Sequence, residues 1–173
     1  MKNLFTALIL IFVSIHTIAQ MAPAPEEFSN PTISVGLVVS NLNESVDFYT
    51  NVIGMTQTGA FGVDGENAKE LGLSDGRSLD VKILKLEDSQ QASEWKLMSF
   101  GKNASHPEQK YIHDDTGMQY ITLFVNNIAP FIERMNNQNI KILSKEPSVL
   151  EDGRKYILVQ DPDGTFIEII GSN

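Results

Sequence analysis

The chain has 173 residues, 42% of them hydrophobic, no cysteine, and a formal net charge of −9. That length buries a single core, and the lack of cysteine excludes both a disulfide framework and a lipid-modified cysteine anchor. The acidic balance sets the surface against nucleic acid and anionic lipid and leaves neutral or cationic small molecules as compatible partners.

Residues 1–19 read as a secretory signal. Lys2 supplies the positive start, residues 4–15 are apolar except for Thr6 and Ser14, and Thr17-Ile18-Ala19 offers a small-residue cleavage site before Gln20. The apolar run is shorter than the roughly 20 residues that span a bilayer, so cleavage would leave no stable membrane anchor. Residues 20–31 form a Pro-rich linker, and 32–173 a single domain. Export without disulfides fits a periplasmic or secreted bacterial protein.

The domain opens on a segment that is used twice. Ser34-Val35-Gly36-Leu37-Val38-Val39-Ser40-Asn41-Leu42 recurs as Tyr120-Ile121-Thr122-Leu123-Phe124-Val125-Asn126-Asn127-Ile128, at an offset of 123 − 37 = 86 residues. Val46 then maps to Ile132 and Tyr49 to Met135 in the same register. An offset this long is no solenoid unit, and two copies make no stacked array. The repeat predicts two small modules, residues 32–101 and 118–171, each with one helix and several strands.

In the first module, Ile33, Val35, Leu37 and Val39 alternate with Ser34, Gly36, Val38 and Ser40, the period of a strand. Asn41, with Glu44 three residues on, starts a helix whose buried stripe is Val46, Tyr49, Val52 and Ile53 and whose end is Gly54. Strands follow over 56–63, 79–87 and 94–100, with a loop over 64–78 in which 68–71 could form a helical turn. The second module repeats the order: strand 119–125, helix 128–137 with Pro130 in its first turn, then strands over 140–144, 155–160 and 165–170. Glu151-Asp152-Gly153-Arg154 reads as a polar hairpin turn, and Asp161-Pro162-Asp163-Gly164 as the turn joining the last two strands.

Asp47-Phe48-Tyr49, Val52-Ile53-Gly54-Met55 and Gln160-Asp161-Pro162-Asp163-Gly164-Thr165-Phe166-Ile167-Glu168, set in the doubled pattern, resemble the vicinal oxygen chelate superfamily. Glyoxalase I, methylmalonyl-CoA epimerase, ring-cleaving dioxygenases and bleomycin-resistance proteins belong to it. The resemblance runs from Thr32 to Gly171. It implies an α+β, glyoxalase-like fold in which two βαβββ modules form a shared cup-shaped cleft.

In members that are enzymes, four side chains on the first and last strands of the modules hold a divalent metal. Matching motifs residue by residue puts Ser34, Lys96, Tyr120 and Glu168 at those positions, and only Glu168 is of a usual ligand type. Catalytic sites for zinc and similar ions need about three protein ligands and an open position, whereas an ammonium repels the ion. No cofactor is therefore expected, and a divalent metal, if bound, would rest on Glu168.

Strand alternation groups Ser34, Gly36 and Val38 with Lys96, Met98 and Phe100, with Tyr120, Thr122 and Phe124, and with Phe166, Glu168 and Ile170 as the faces that the resemblance turns into the cleft. An apolar cup with a few polar groups suits a small organic molecule. Lys96 and Glu168 would share that space, either as an ion pair in place of the metal or with long side chains reaching solvent at the rim. Tyr120 is either a cleft hydroxyl or an ordinary core tyrosine.

The sequence thus points to an exported small-molecule-binding protein, monomer or homodimer. The alternative is an enzyme, either a metal-dependent lyase, isomerase or dioxygenase using Glu168, or a metal-free proton-transfer catalyst with Glu168 as base and Tyr120 or Lys96 as acid. His113-Asp114-Asp115, with His106 nearby, matches no metal-ligand spacing and reads as a solvated loop. No Gly-rich loop follows a strand to cradle phosphate, and no serine has a convincing base partner.

Overall fold

A computed structural model of the chain describes residues 28–30, 32–101, 105, 107–145 and 147–172. The expected signal and all of the expected linker but residues 28–30 lie outside the described residues, as does His106. Two units divide the chain, Met1–Asn30 and Pro31–Asn173, and every element below belongs to the second.

The element order is β1 (Ser34–Val38), α1 (Leu42–Asp47) running on as a π-helical segment (Phe48–Ile53), β2 (Thr56–Val63), α2 (Gly65–Glu70), β3 (Leu79–Lys85) and β4 (Glu94–Ser99). Then come a 3₁₀ turn (Ile112–Asp114), β5 (Tyr120–Val125), α3 (Ala129–Asn137), β6 (Ser148–Val149), β7 (Lys155–Gln160) and β8 (Phe166–Gly171). The strands form two four-stranded sheets, ordered β1-β4-β3-β2 and β5-β8-β7-β6. Within each, the first and last strands pair in parallel and the others antiparallel. This is the α+β arrangement of two βαβββ modules that the resemblance implied, with α2 as an extra turn and a half in the first.

Local chemistry explains the helix boundaries. Asn41 stays extended and its side chain accepts from the Glu44 amide at 3.3 Å, capping α1. At the far end the amides of Gly54 and Met55 both bond the Tyr49 carbonyl, and Gly54 takes φ +91°, a conformation cheap only for glycine. The widened last turn buries Phe48, Tyr49, Val52 and Ile53 together. In α3, Pro130 sits in the first turn, and the Ile128 amide ahead of it bonds the carbonyl of Ser172, just beyond β8.

Strand 140–144 is not formed. Leu143 N–H reaches the Leu158 carbonyl at 2.7 Å, but Leu158 N–H turns to the Ser144 hydroxyl at 3.3 Å instead of a backbone carbonyl, so the ladder stops after one rung. The edge strand is the two-residue β6 beyond Pro147, tied to β7 through the predicted hairpin turn, where Leu150 N–H meets the Arg154 carbonyl at 2.8 Å.

One face of each sheet enters a common core. Leu84, Trp95 and Leu97 from the first and Leu123, Ile157, Val159, Ile167 and Ile169 from the second pack with Phe48, Tyr49, Val52, Ile53, Ile128 and Met135 from the helices. Burying a side chain of this size contributes about 1.5–3 kcal/mol, so this layer dominates the stability.

The halves are also joined by polar contacts around a buried turn. Asp161, 5% exposed, accepts the amides of Asp163 (3.0 Å) and Thr165 (2.8 Å) on one oxygen and the hydroxyl of Tyr49, from the other half, on the second (2.7 Å). Asp163 accepts the Ser40 amide at 3.0 Å and the Ser45 hydroxyl at 3.3 Å. On the opposite flank, Arg134 Nε donates to the Val52 carbonyl at 2.7 Å while its guanidinium lies 4.4 Å from the Phe131 ring centre.

Burial pushes the Asp161 carboxyl above its ordinary 3.8, although the Tyr49 hydroxyl and the Thr165 amide pull it down. Its contribution to stability is therefore whole below about pH 3.8 and is lost as pH rises through the raised native value. Asp161→Asn keeps acceptors for the turn amides and offers a donor to the Tyr49 oxygen, while removing the charge. The stability of the wild type relative to this variant, from urea unfolding, is expected to fall as pH rises from about 3.8 through the raised native value and to level off above it. Titration of other carboxylates is common to both proteins and cancels in the difference.

Candidate functional site

The faces turned away from the common core carry the predicted site residues, and the pairing register settles their equivalence. Gly36 pairs with Lys96 and Thr122 pairs with Glu168, and 122 − 36 = 86, the offset of the sequence repeat. Lys96 and Glu168 thus hold corresponding positions in the two halves, as the motif match proposed.

The halves treat these positions differently. In the first, Lys96 Nζ lies 3.0 Å from a Glu94 oxygen that also accepts the Ser34 hydroxyl at 2.8 Å. The Lys96 ammonium, followed by the Ser34 hydroxyl, holds Glu94 below the ordinary carboxylate range. Met98 lies across Gly36, its Cε 2.9 Å from where a Cβ would stand, and Met98 and Phe100 pack with Ala68 of α2, Leu79 and Val81 in a satellite core. This face is filled and neutralised by its own side chains, though Val38 stays 47% exposed. Met98 and Phe100 are packing residues here rather than cleft lining.

In the second half, Glu168 is half-buried and held by two hydroxyls: Thr122 Oγ1 donates to one oxygen at 2.6 Å and Tyr156 to the other at 3.3 Å. Tyr120 and Phe124, on either side of Thr122 along β5, are 46% and 69% exposed. Tyr120 is therefore a surface aromatic of this face, which settles the choice against a core tyrosine. Phe166 shares the strand side of Glu168 but is fully buried and lines nothing open. The adjoining Gln160, which pairs with Phe166, donates to the Gln109 carbonyl at 3.0 Å, so the connection between the modules closes this end of the face.

The expected Lys96–Glu168 ion pair is replaced by two separate arrangements. A lysine two residues from an acid on one strand finds it on the same face, which is nearer than the corresponding position of another sheet. The sequence reading also missed Tyr156. The alternation of Tyr156, Leu158 and Gln160 against Ile157 and Val159 is the signal that puts it on the same side of the sheet.

The donor set does not fit a divalent cation. Ser34 and Lys96 are committed to Glu94, the hydroxyl of Thr122 fills one lone pair of Glu168, and among the described residues no three His, Asp or Glu side chains converge. The loop at His113 is a capped turn: Asp114 accepts the amides of Lys110 and Tyr111, and His113 stacks on Tyr111 at 5.5 Å. Depressions of about 810 and 410 Å³ lie elsewhere, sharing Glu108, Gln109, Gln160, Asp161 and Pro162 beside the intermodule connection, and a third of about 490 Å³ adjoins α3. On the face around Glu168, Tyr120 and Phe124 are exposed.

Burial, then the negative charge and hydrogen bond of Glu168, push the Tyr156 phenol up to about 12. Glu168→Gln is expected to bring it down while leaving it above 10, because burial, the largest cause, remains. Tyrosine Cζ chemical shifts followed against pH read this directly, with Tyr156 still protonated at about pH 11 in the native protein.

Residues 32–169 match the family model described as the glyoxalase/bleomycin resistance protein/dioxygenase superfamily. A Bacillus subtilis (strain 168) protein, YwbC, described as uncharacterized, is 25% identical over 137 residues, covering 77% of this chain and 90% of its own. A glyoxalase family protein from Bacillus cereus superposes with a TM-score of 0.71 at 17% identity, over 87% of this chain and 98% of its own. The trypanothione-dependent glyoxalase I of Leishmania major does so with a TM-score of 0.57 at 20% identity, over 83% and 87%. These structures share the fold, and with the family match extending over both modules, the chain belongs to the glyoxalase/bleomycin resistance protein/dioxygenase superfamily.

Proposed function

We propose that this protein is exported and binds a small organic molecule on the cleft face of its second module, without a divalent metal. The observation that carries the reading is Glu168: a half-buried carboxylate oriented by Thr122 and Tyr156 and flanked by the exposed rings of Tyr120 and Phe124. Polar groups with fixed orientation amid apolar surface are the usual elements of small-molecule recognition. Membership of the superfamily supports a binding or enzymatic role of this kind and leaves the reaction open.

Metal-free proton transfer fits less well. A general acid works best with a pKa near the operating pH, whereas the phenol nearest Glu168 holds its proton to about 12. Of the two acids expected from the sequence, Tyr120 and Lys96, the lysine is engaged by Glu94.

Protein purified from its native compartment without chelator or affinity tag is expected to carry far less than one equivalent of metal by elemental mass spectrometry, and the same for Glu168→Ala. Near-stoichiometric metal that disappears in the variant would overturn the metal-free reading. Export has its own test: the intact mass of that material should correspond to a chain beginning at Gln20, and retention of Met1–Ala19 would refute cleavage.

A further inference from the structure

We propose that the ligand of the second module's face is an organic cation, a protonated amine or quaternary ammonium group, seated on Glu168 between Tyr120 and Phe124. This rests on the reading of that face as a binding surface and adds the chemistry of what it takes.

The comparison of equivalent positions leads to it. At Lys96 the first half holds a cation and, on the same face, the acid that answers it, Glu94 at 3.0 Å. At Glu168 the second half holds the acid, and among the described residues no lysine, arginine or histidine pairs with it; its partners are two hydroxyls. Thr122 and Tyr156 orient the carboxylate without cancelling its charge. The nearby cation on β7's approach, Arg154, is already held by Asp152 at 2.7 Å.

The surroundings suit a soft cation better than a hydrated one. Glu168 is directly across from Thr122, and Tyr120 and Phe124 stand one rung to either side along β5, about 7 Å away. Aromatic faces attract cations within about 6 Å of the ring centre, and more so when the cation is weakly hydrated. The chain itself shows the tendency: the Arg154 guanidinium lies 5.7 Å from the Phe124 ring centre. Tyr156 adds a third ring whose hydroxyl is turned to the carboxylate. The net charge of −9 further favours approach of a cation.

Choline and its uncharged isostere 3,3-dimethylbutan-1-ol, which share shape and hydroxyl, isolate the charge; benzyltrimethylammonium adds an aromatic body. Binding is read at fixed ionic strength from amide shifts of Thr122, Phe124 and Tyr156. Both cations are expected to move these signals and to bind about tenfold more tightly than the alcohol. Glu168→Gln should weaken the cations about tenfold and leave the alcohol unchanged. Phe124→Ala, at a site 69% exposed and so without effect on folding, should weaken them severalfold. Equal binding of the alcohol, or cation binding that survives Glu168→Gln, overturns the cation preference while the binding face stands. If none of the three probes moves signals on that face, both the preference and the face as a binding site fall.

Discussion

A carboxylate taken out of water needs donors on both oxygens, and Asp161 receives them from two different parts of the chain. Its own turn supplies the amides of Asp163 and Thr165, which fix how the chain enters β8. Tyr49, from the helix of the other module, supplies the hydroxyl. Because Tyr49 is fully buried against Trp95 and Phe48, it cannot move to follow the turn; the turn is positioned against the first module's helix. Phe166 and Glu168 follow within one strand, so the geometry of the candidate site is inherited from this contact.

The duplicated architecture then permits divergence. Corresponding strands, the same register and the same 86-residue offset deliver a charged side chain to equivalent places, a lysine in one half and a glutamate in the other. Around the lysine, α2 and Met98 cover the face and Glu94 balances the charge. Around the glutamate the chain provides orientation and aromatic surface, and among the described residues no cation pairs with it, Arg154 beside Phe124 being held by Asp152. The first module closes its face into a second small core, and the second leaves Tyr120 and Phe124 exposed beside Glu168.

Much of the fold was legible because it is carried by local periodicity and by short-range caps. The alternation in 33–40 and its echo in 120–125, the Asn41 cap, the glycine stop at Gly54 and the Asp161–Gly164 turn all act within a few residues, and each appears where its chemistry places it. The departures lie in which side-chain partners are chosen. Segment 140–144 has strand-like composition, yet a serine hydroxyl captured the amide needed for the next rung. Lys96 pairs with Glu94 rather than Glu168, and the Tyr156 hydroxyl reaches Glu168 diagonally from the neighbouring strand β7, where Leu158 is the residue directly across from Glu168.

By itself the sequence determined the two-module plan and the place of Glu168 on the last strand, because each follows from periodicity, repetition and turn chemistry along the chain. Only the tertiary structure decided that one cleft face would be filled and the other open, and that Glu168 would be met by hydroxyls rather than by an ammonium. Those outcomes depend on which side chains from separate strands reach one another once both sheets are packed on the common core, a competition among distances that exist only in the folded protein.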